Sequence, residues 1–189
     1  MDEIKAELDK QLNSVNGDVI NRAVNNLNGD IYSEPWCKPL LFTIEYNQLD
    51  NPSYYSMGDR NIQTEHILPR AYNDQKGWEF VNNIPGIEDW INSGANLTLL
   101  SGSKNRDARN YRFEVKLKTY DGTGLEDFND KKISSFKITQ QIVNDFNAEK
   151  YNKEWNVEAL NGRWLWFCKQ VEDILEIDLS RIKQNLLPQ

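Results

Sequence analysis

The chain has 189 residues, of which 39% are hydrophobic, and a formal net charge of −7 at pH 7. This length suits one domain, and six Trp, eight Tyr and seven Phe can fill its core despite a mean hydropathy of −0.73. The sequence contains no apolar run of about 18 residues and begins with an acidic stretch, so we expect a cytoplasmic protein with neither a membrane span nor a signal peptide.

The N-terminal part predicts helices. Residues 2–13 and 18–28 are the first two, and the second carries apolar residues at the helical period of 3.6. A third and mostly buried helix is predicted over residues 36–50, where Pro39 lies in the first turn and is tolerated there.

The middle of the chain predicts two short strands separated by a long connection. Residues 61–69 alternate enough to form a strand that ends at Pro69, and residues 95–103 form the second strand. The connection, 70–95, contains a short helix over 87–92 and has the length of a functional loop.

A further helix is predicted to follow the second strand. Ser101 or Ser103 is placed to cap it, and it runs from near Lys104 to about Tyr120 with a break expected near Asn110. Two C-terminal helices are predicted over 139–150 and 156–177. The predicted fold class is therefore α+β, a mostly helical domain around a two-stranded antiparallel hairpin and a helix.

The sequence contains one histidine, His66, and it directly follows Glu65 at the predicted end of the first strand. A neutral imidazole can take a proton from water, and a carboxylate with an amide oxygen suits a hard cation such as Mg²⁺. A strand, a long connection, a second strand and a helix follow one another here. This is the order of a ββα unit that holds one divalent metal and cuts phosphodiesters. The alternative is that a lone histidine is a hydrogen-bonded structural residue.

Basic residues concentrate in the predicted helix after the second strand. Residues 104–118 contain six basic and two acidic residues, although the whole chain is acidic. Such a strip can direct a polyanion to one place on an acidic protein. The alternative is an ordinary solvated helix face.

Three motifs follow one another in this region. They are Glu65-His66-Ile67-Leu68-Pro69, then Ala95-Asn96-Leu97-Thr98-Leu99-Leu100 with Asn105, then Asn110-Tyr111-Arg112-Phe113 with Lys116. In this order they resemble the HNH (ββα-metal, or His-Me finger) nucleases. More narrowly, the chain is similar to the C-terminal nuclease domain of GmrSD-like modification-dependent restriction enzymes over about residues 31–180.

The resemblance implies a role for each matching residue. His66 would be the general base, and Glu65 and Asn105 would ligate Mg²⁺ or Mn²⁺. Asn96 would hold the loop between the strands so that the imidazole keeps one orientation. The residues implied to contact DNA are Arg109, Asn110, Arg112 and Lys116. In an unbroken helix, Asn105, Arg109, Arg112 and Lys116 would share one face.

The resemblance also implies an organisation and a function. A nuclease core over 31–135 would be flanked by an N-terminal helical segment, 1–30, and by C-terminal helices, 136–189, that pack on it as one compact domain. No structural zinc is expected, because Cys37 and Cys168 form no CxxC pair.

The expected function is a metal-dependent DNA endonuclease that nicks or cuts both strands of phage or modified DNA in anti-phage restriction. A ParB-like sensor or NTPase domain or subunit, absent from this chain, is the expected partner. The alternative is a non-catalytic nucleic-acid-binding or regulatory module that keeps the ββα fold. The motifs leave an RNA substrate open.

Overall fold

The structure is a computed structural model, and it describes residues 19–50, 55–56, 58–74, 76–123, 126 and 131–186. The predicted helix over 2–13 lies outside these residues. Within them, the secondary structure is mostly helical, with two strands. The helices are 19–27 (α1), Cys37–Asn47 (α2), Glu88–Ile91 (α3), Gly102–Ala108 (α4), Phe113–Asp121 (α5), Lys137–Asn147 (α6), Val157–Leu175 (α7) and Ser180–Lys183 (α8). The strands are Ile62–His66 (β1) and Leu97–Ser101 (β2).

The two strands form an antiparallel sheet. Their register pairs Ile62 with Ser101 at one end and His66 with Leu97 at the other. The connection between them contains 3₁₀ turns at Tyr72–Asp74 and Glu79–Asn83, followed by α3. The α+β prediction, with an antiparallel strand pair followed by a helix, is therefore confirmed.

β1 is shorter than the predicted strand. It ends at His66, one residue before a last backbone hydrogen bond in register and a contact with the Asn96 side chain. The N–H of Ile67 donates to the Asn96 carbonyl at 3.0 Å, and the N–H of Leu68 donates to the Asn96 side chain at 2.7 Å. These two hydrogen bonds hold the turn after His66.

The predicted break after β2 is confirmed, and it divides the helix into α4 and α5. Ser101 caps α4 by accepting the N–H of Lys104 at 3.4 Å, as predicted. α4 ends where Arg109 adopts a φ of 42°, and α5 begins four residues later at Phe113. α5 ends at Gly122, whose φ of 81° is readily adopted by glycine.

A continuous core connects these elements. It contains residues from Val24 in α1 to Ile182 in α8, including the fully buried Trp78. Cys37 and Cys168 are both buried and free. Among the described residues no helix is both long and apolar enough to cross a membrane.

α6 is fixed to α2 by a buried carboxylate. Glu45 is 1% exposed and accepts the N–H groups of Lys137 and Ile138 at 2.9 and 3.0 Å. A negative charge at a helix N-terminus satisfies these N–H groups and opposes the positive end of the helix dipole. α6 in turn packs on β2, where the Thr139 hydroxyl donates to the Leu99 carbonyl at 2.6 Å.

Candidate active site

The candidate site lies at the end of β1, where Glu65 and His66 are adjacent. Side chains alternate along a strand, so these two leave the sheet on opposite faces. Glu65 is buried at 5% exposure, and His66 is half-buried. Each therefore has its own set of partners.

The imidazole of His66 is held by a chain of two hydrogen bonds. Its Nε2 lies 2.9 Å from Oδ1 of Asn92, and Nδ2 of Asn92 donates to Oδ2 of Asp30 at 2.8 Å. An ionised carboxylate can only accept, so the Asn92 amide must present its NH₂ to Asp30 and its oxygen to His66. Nε2 must then carry the proton, and Nδ1 is left as the basic nitrogen of the neutral ring.

Asp30 is ionised in this arrangement. Its slight burial acts to raise its pKa, but hydrogen bonds from Asn92 and from the N–H and hydroxyl of Ser33 outweigh that effect and lower the pKa below its usual value. The carboxylate therefore stays an acceptor near neutral pH, which keeps the Asn92 amide in the orientation that His66 requires.

His66 is neutral near pH 7. Burial is the main reason, and it lowers the pKa of His66 to about 4, together with the positive charges of Lys116 and Arg70. The hydrogen bond to Asn92 acts in the opposite direction. The ring also packs against Tyr32, with ring centroids 4.3 Å apart. A neutral, oriented imidazole with one free lone pair is what a general base needs.

Asn96 connects the two strands behind His66. Its Oδ1 accepts from the N–H of Leu68 at 2.7 Å, and its Nδ2 donates to the carbonyls of Leu68 and Ile91 at 2.8 and 2.9 Å. The indole N–H of Trp155 donates to the same Oδ1 at 3.2 Å. Asn96 is fully buried, and these contacts fix the turn after His66.

Glu65 belongs to a buried network on the other face of β1. Its Oε1 accepts from Nζ of Lys116 at 2.7 Å and from the hydroxyl of Tyr120 at 3.0 Å. Burial raises the pKa of Glu65 and lowers the pKa of Lys116, while their mutual attraction opposes both shifts. Lys116 also donates to the carbonyl of His66 at 2.5 Å, so one ammonium group contacts both residues of the Glu-His pair.

Lys116 lies in the interior. It is 1% exposed, whereas the predicted contact with a DNA phosphate requires a surface cation. Its position follows from the break at Arg109, which rotates α5 away from the direction of α4, so the single stripe of an unbroken helix does not form. A phosphate contact would require Lys116 to leave Glu65.

Asn105 lies on α4, on the Glu65 side of the sheet. Its Nδ2 donates to Oε1 of Gln63 at 2.6 Å, and Gln63 shares a face of β1 with Glu65 because the two are separated by one residue. The hydrogen bonds of the three predicted residues thus run to different partners: Glu65 to Lys116 and Tyr120, His66 to Asn92, and Asn105 to Gln63.

The remaining cations of the basic strip surround the break between α4 and α5. Arg109 and Asn110 are exposed, and the guanidinium of Arg109 lies 5.8 Å from the ring centroid of Tyr111. Arg112 is exposed and forms an ion pair with Glu114 at 3.0 Å. Lys104 is buried instead, and it donates to the carbonyl of Thr119 at 2.7 Å. The exposed part of the strip is therefore narrower than the sequence indicates.

Two oxygens on one side of β1 could bind a metal ion. The carboxylate of Glu65 accepts from Lys116 and Tyr120 at Oε1 and also from the backbone N–H of His66. The hydrogen bond from Asn105 uses Nδ2, so the Glu65 carboxylate and Oδ1 of Asn105 are the hard oxygen donors on this side. This donor chemistry fits Mg²⁺ or Mn²⁺. Within the described ranges, no group of three or more His, Cys, Asp or Glu residues is placed to hold a metal. A site built from this pair would depend on water and phosphate for its other ligands.

Beyond Asn92 lies a cavity of about 670 Å³. It is lined by three carboxylates, those of Asp30, Glu88 and Asp89, together with Trp90 and Trp164. The negative charge of this lining opposes a phosphate backbone, so DNA is expected on the other side of the imidazole.

Comparison with known families identifies the chain. It matches the family described as GmrSD restriction endonucleases, C-terminal domain, over residues 18–168. The match covers most of the chain, and the chain belongs to this family. It is thus a restriction endonuclease domain, which implies DNA as its substrate. Comparisons with curated proteins and with solved structures each gave no match.

Sequence reasoning missed several residues that the structure places around His66. Asp30 lies in an "NGD" segment that marks a turn, and nothing in the sequence connects it to a histidine 36 residues later. Asn92 lies in the connection whose length indicates function, which is the one available signal. Tyr120 lies one helical turn after Lys116, so it could have been grouped with it.

Proposed function

We propose that this chain is a metal-dependent DNA endonuclease of the HNH type, in which neutral His66 is the general base. The observation that carries the proposal is the Asp30–Asn92–His66 chain of hydrogen bonds, which places the proton on Nε2 and leaves Nδ1 basic. A hydrogen-bonded structural histidine can also have a fixed tautomer. The attack of water on phosphorus requires one, because the base must be unprotonated and correctly oriented.

The residues around His66 are proposed to position the imidazole and to contact DNA. Asn96 holds the backbone turn at Leu68, so the imidazole is presented from a rigid strand end. Lys116 binds the His66 carbonyl and the Glu65 carboxylate, which fixes the two neighbouring side chains relative to each other. Arg109, Asn110 and Arg112 are the exposed polar residues proposed to contact the DNA backbone.

Glu65 and Asn105, which lie on the side of β1 opposite the His66 imidazole, are the residues proposed to hold Mg²⁺ or Mn²⁺ through their side-chain oxygens. When bound, the ion would supply Lewis-acid stabilisation of the negative charge that develops on the phosphate oxygens. The ammonium of Lys116 reduces the net negative charge available to the ion, since it is paired with Glu65 at 2.7 Å. We therefore expect weak binding without DNA and tighter binding once a phosphate adds its oxygens.

The cellular role follows from the family and from the resemblance. A restriction endonuclease domain is proposed to act as the cutting effector against phage or modified DNA. The ParB-like sensor or NTPase domain that the resemblance implies would recognise the target and control cleavage. The residues described above are proposed to supply the hydrolysis.

The metal requirement is tested with supercoiled plasmid and calorimetry. We expect the protein to nick or linearise plasmid in Mg²⁺ or Mn²⁺, and a chelator to stop it. Asn105→Ala should weaken Mn²⁺ binding by about tenfold or more, because it removes one ligand. Asn105→Asp should restore or strengthen binding, because it keeps the oxygen and adds charge.

Asn185→Ala, an exposed amide far from β1 in sequence, is the matched control and should bind Mn²⁺ like the wild type. Intact plasmid with each metal, combined with no measurable metal binding, would show that the chain is the non-catalytic module. Cleavage that persists with a chelator would instead disprove the metal requirement.

A further inference from the structure

Arg70 is an exposed cation that the motifs do not assign, and it lies beside the candidate active site. It follows Pro69 directly, at the end of the turn that Asn96 holds. Its guanidinium carbon lies 5.8 Å from the ring centroid of Tyr32, and the Tyr32 ring lies 4.3 Å from that of His66. The Tyr32 ring therefore contacts both the guanidinium and the imidazole.

The contact with Tyr32 positions the guanidinium without neutralising it. A cation over an aromatic face is held by the ring quadrupole, and the N–H edges of the arginine can still donate. Two other cations near this region form ion pairs with carboxylates. Lys116 is paired with Glu65 in the interior, and Arg112 is paired with Glu114. Arg70 therefore brings a positive charge to the imidazole side of β1.

Hydrogen bonds hold the backbone two residues before Arg70 and at Tyr32. The N–H of Leu68 donates to Asn96, and the N–H of Tyr32 donates to the carbonyl of Asn92 at 3.2 Å, next to the amide that contacts His66. Asn96 thus holds the turn that precedes Arg70, and Asn92 contacts both Tyr32 and His66. A guanidinium held on such a frame loses little conformational entropy when it binds a planar or tetrahedral anion.

We propose that Arg70 binds the DNA phosphate that is cut at His66, donating two N–H groups to its non-bridging oxygens. The proposal rests on the proposed endonuclease function and adds the substrate contact on the imidazole face. Arginine matches this task because its planar fork meets two phosphate oxygens at once, which a lysine cannot do. Tyr32 is the positioning residue that keeps the guanidinium next to the imidazole.

The test compares Arg70→Ala and Arg70→Lys with Arg60→Ala, an exposed arginine before β1 that serves as the matched control. Single-turnover cleavage of a labelled duplex should slow by about 100-fold in Arg70→Ala, as for other preorganised donors at a reacting anion. Arg70→Lys should recover only part of the cleavage rate, since lysine keeps the positive charge but lacks the planar pair of N–H donors. Arg60→Ala should cut like the wild type.

Binding is measured separately by fluorescence anisotropy in a His66→Ala background, so that the duplex stays intact. Adding Arg70→Ala should weaken the affinity by about tenfold or more, the usual effect of losing a charged hydrogen bond. A wild type that cuts DNA while Arg70→Ala cuts and binds like Arg60→Ala would overturn this inference alone. A wild type that cuts no DNA would overturn the proposed function, and this inference with it.

Discussion

Asn92 contacts His66 through Oδ1 and Asp30 through Nδ2, and this arrangement decides which imidazole nitrogen carries the proton. The Glu-His motif supplies the base, but the motif alone says nothing about tautomer or protonation. Those properties come from two residues outside it and from burial. At the scale of single residues, the chemistry of His66 is therefore a product of the fold around it.

The burial of His66 predicts a pH dependence of stability in the metal-free protein. The pKa of His66 falls from 6.5 to about 4 on folding, so the unfolded chain binds its proton more readily. The stability held by neutral His66 is complete above pH 6.5 and is lost as the pH falls towards 4. Wild type should lose about 3 kcal/mol relative to His66→Gln between pH 7 and pH 4.

Urea unfolding of both proteins with a chelator present measures this difference. Gln is the matched replacement because its amide can still donate to Oδ1 of Asn92. Parallel stability curves for the two proteins across this pH interval would show that His66 is not a buried neutral base.

At the scale of elements, β1 and α5 are joined by the buried Glu65–Lys116–Tyr120 network. The sequence predicts α5 and the break before it, but it places Lys116 on a surface stripe. The structure shows why that placement fails. Arg109 has a φ of 42°, and this break reorients α5 so that Lys116 points towards the sheet. Such a backbone conformation costs about 1–3 kcal/mol in a residue with a side chain.

This network predicts a characteristic pair of stability effects. Lys116→Met leaves the Glu65 carboxylate buried without its partner, and should reduce the free energy of unfolding by about 3–5 kcal/mol. Adding Glu65→Gln removes the unpaired charge while keeping an acceptor for Tyr120, so the double variant should regain most of the loss.

Guanidinium unfolding of the wild type, both single variants and the double variant gives the coupling energy. Lys169→Met on α7, whose partner Asp173 is on the surface, is the control and should change stability little. Additive losses in the double variant would show that Glu65 and Lys116 do not interact as a pair.

At the scale of the whole molecule, the sequence predicts the class of fold and the order of elements well. α2 and α7 lie within the predicted helices over 36–50 and 156–177, and both strands lie within the predicted ranges but are shorter. Helical periodicity and turn residues are local signals in the sequence, so they predict helices and strands without knowledge of the tertiary packing. The family is also identified from the motifs around Glu65, His66, Asn96 and Asn105, whose individual roles stay predictions.

The rest of the site could not be predicted, because it is assembled from distant segments. Asp30 and Tyr32 come before α2 in the sequence, whereas His66 comes after it. Lys116 contacts Glu65, from which it is separated by 51 positions in the sequence. No periodic pattern in the sequence predicts such contacts, because they form only when the core packs. The acidic net charge also conceals where DNA is expected, which is near Arg70 and the exposed residues of the α4–α5 break.

The central claim, that His66 is the base that activates water, is tested most directly by single-turnover cleavage of a labelled DNA duplex by His66→Ala. With Mg²⁺ and saturating protein, the rate should fall by at least about 100-fold relative to the wild type. Duplex binding and the circular dichroism spectrum should stay unchanged. A folded His66→Ala protein that cuts the duplex at the rate of the wild type would contradict the claim.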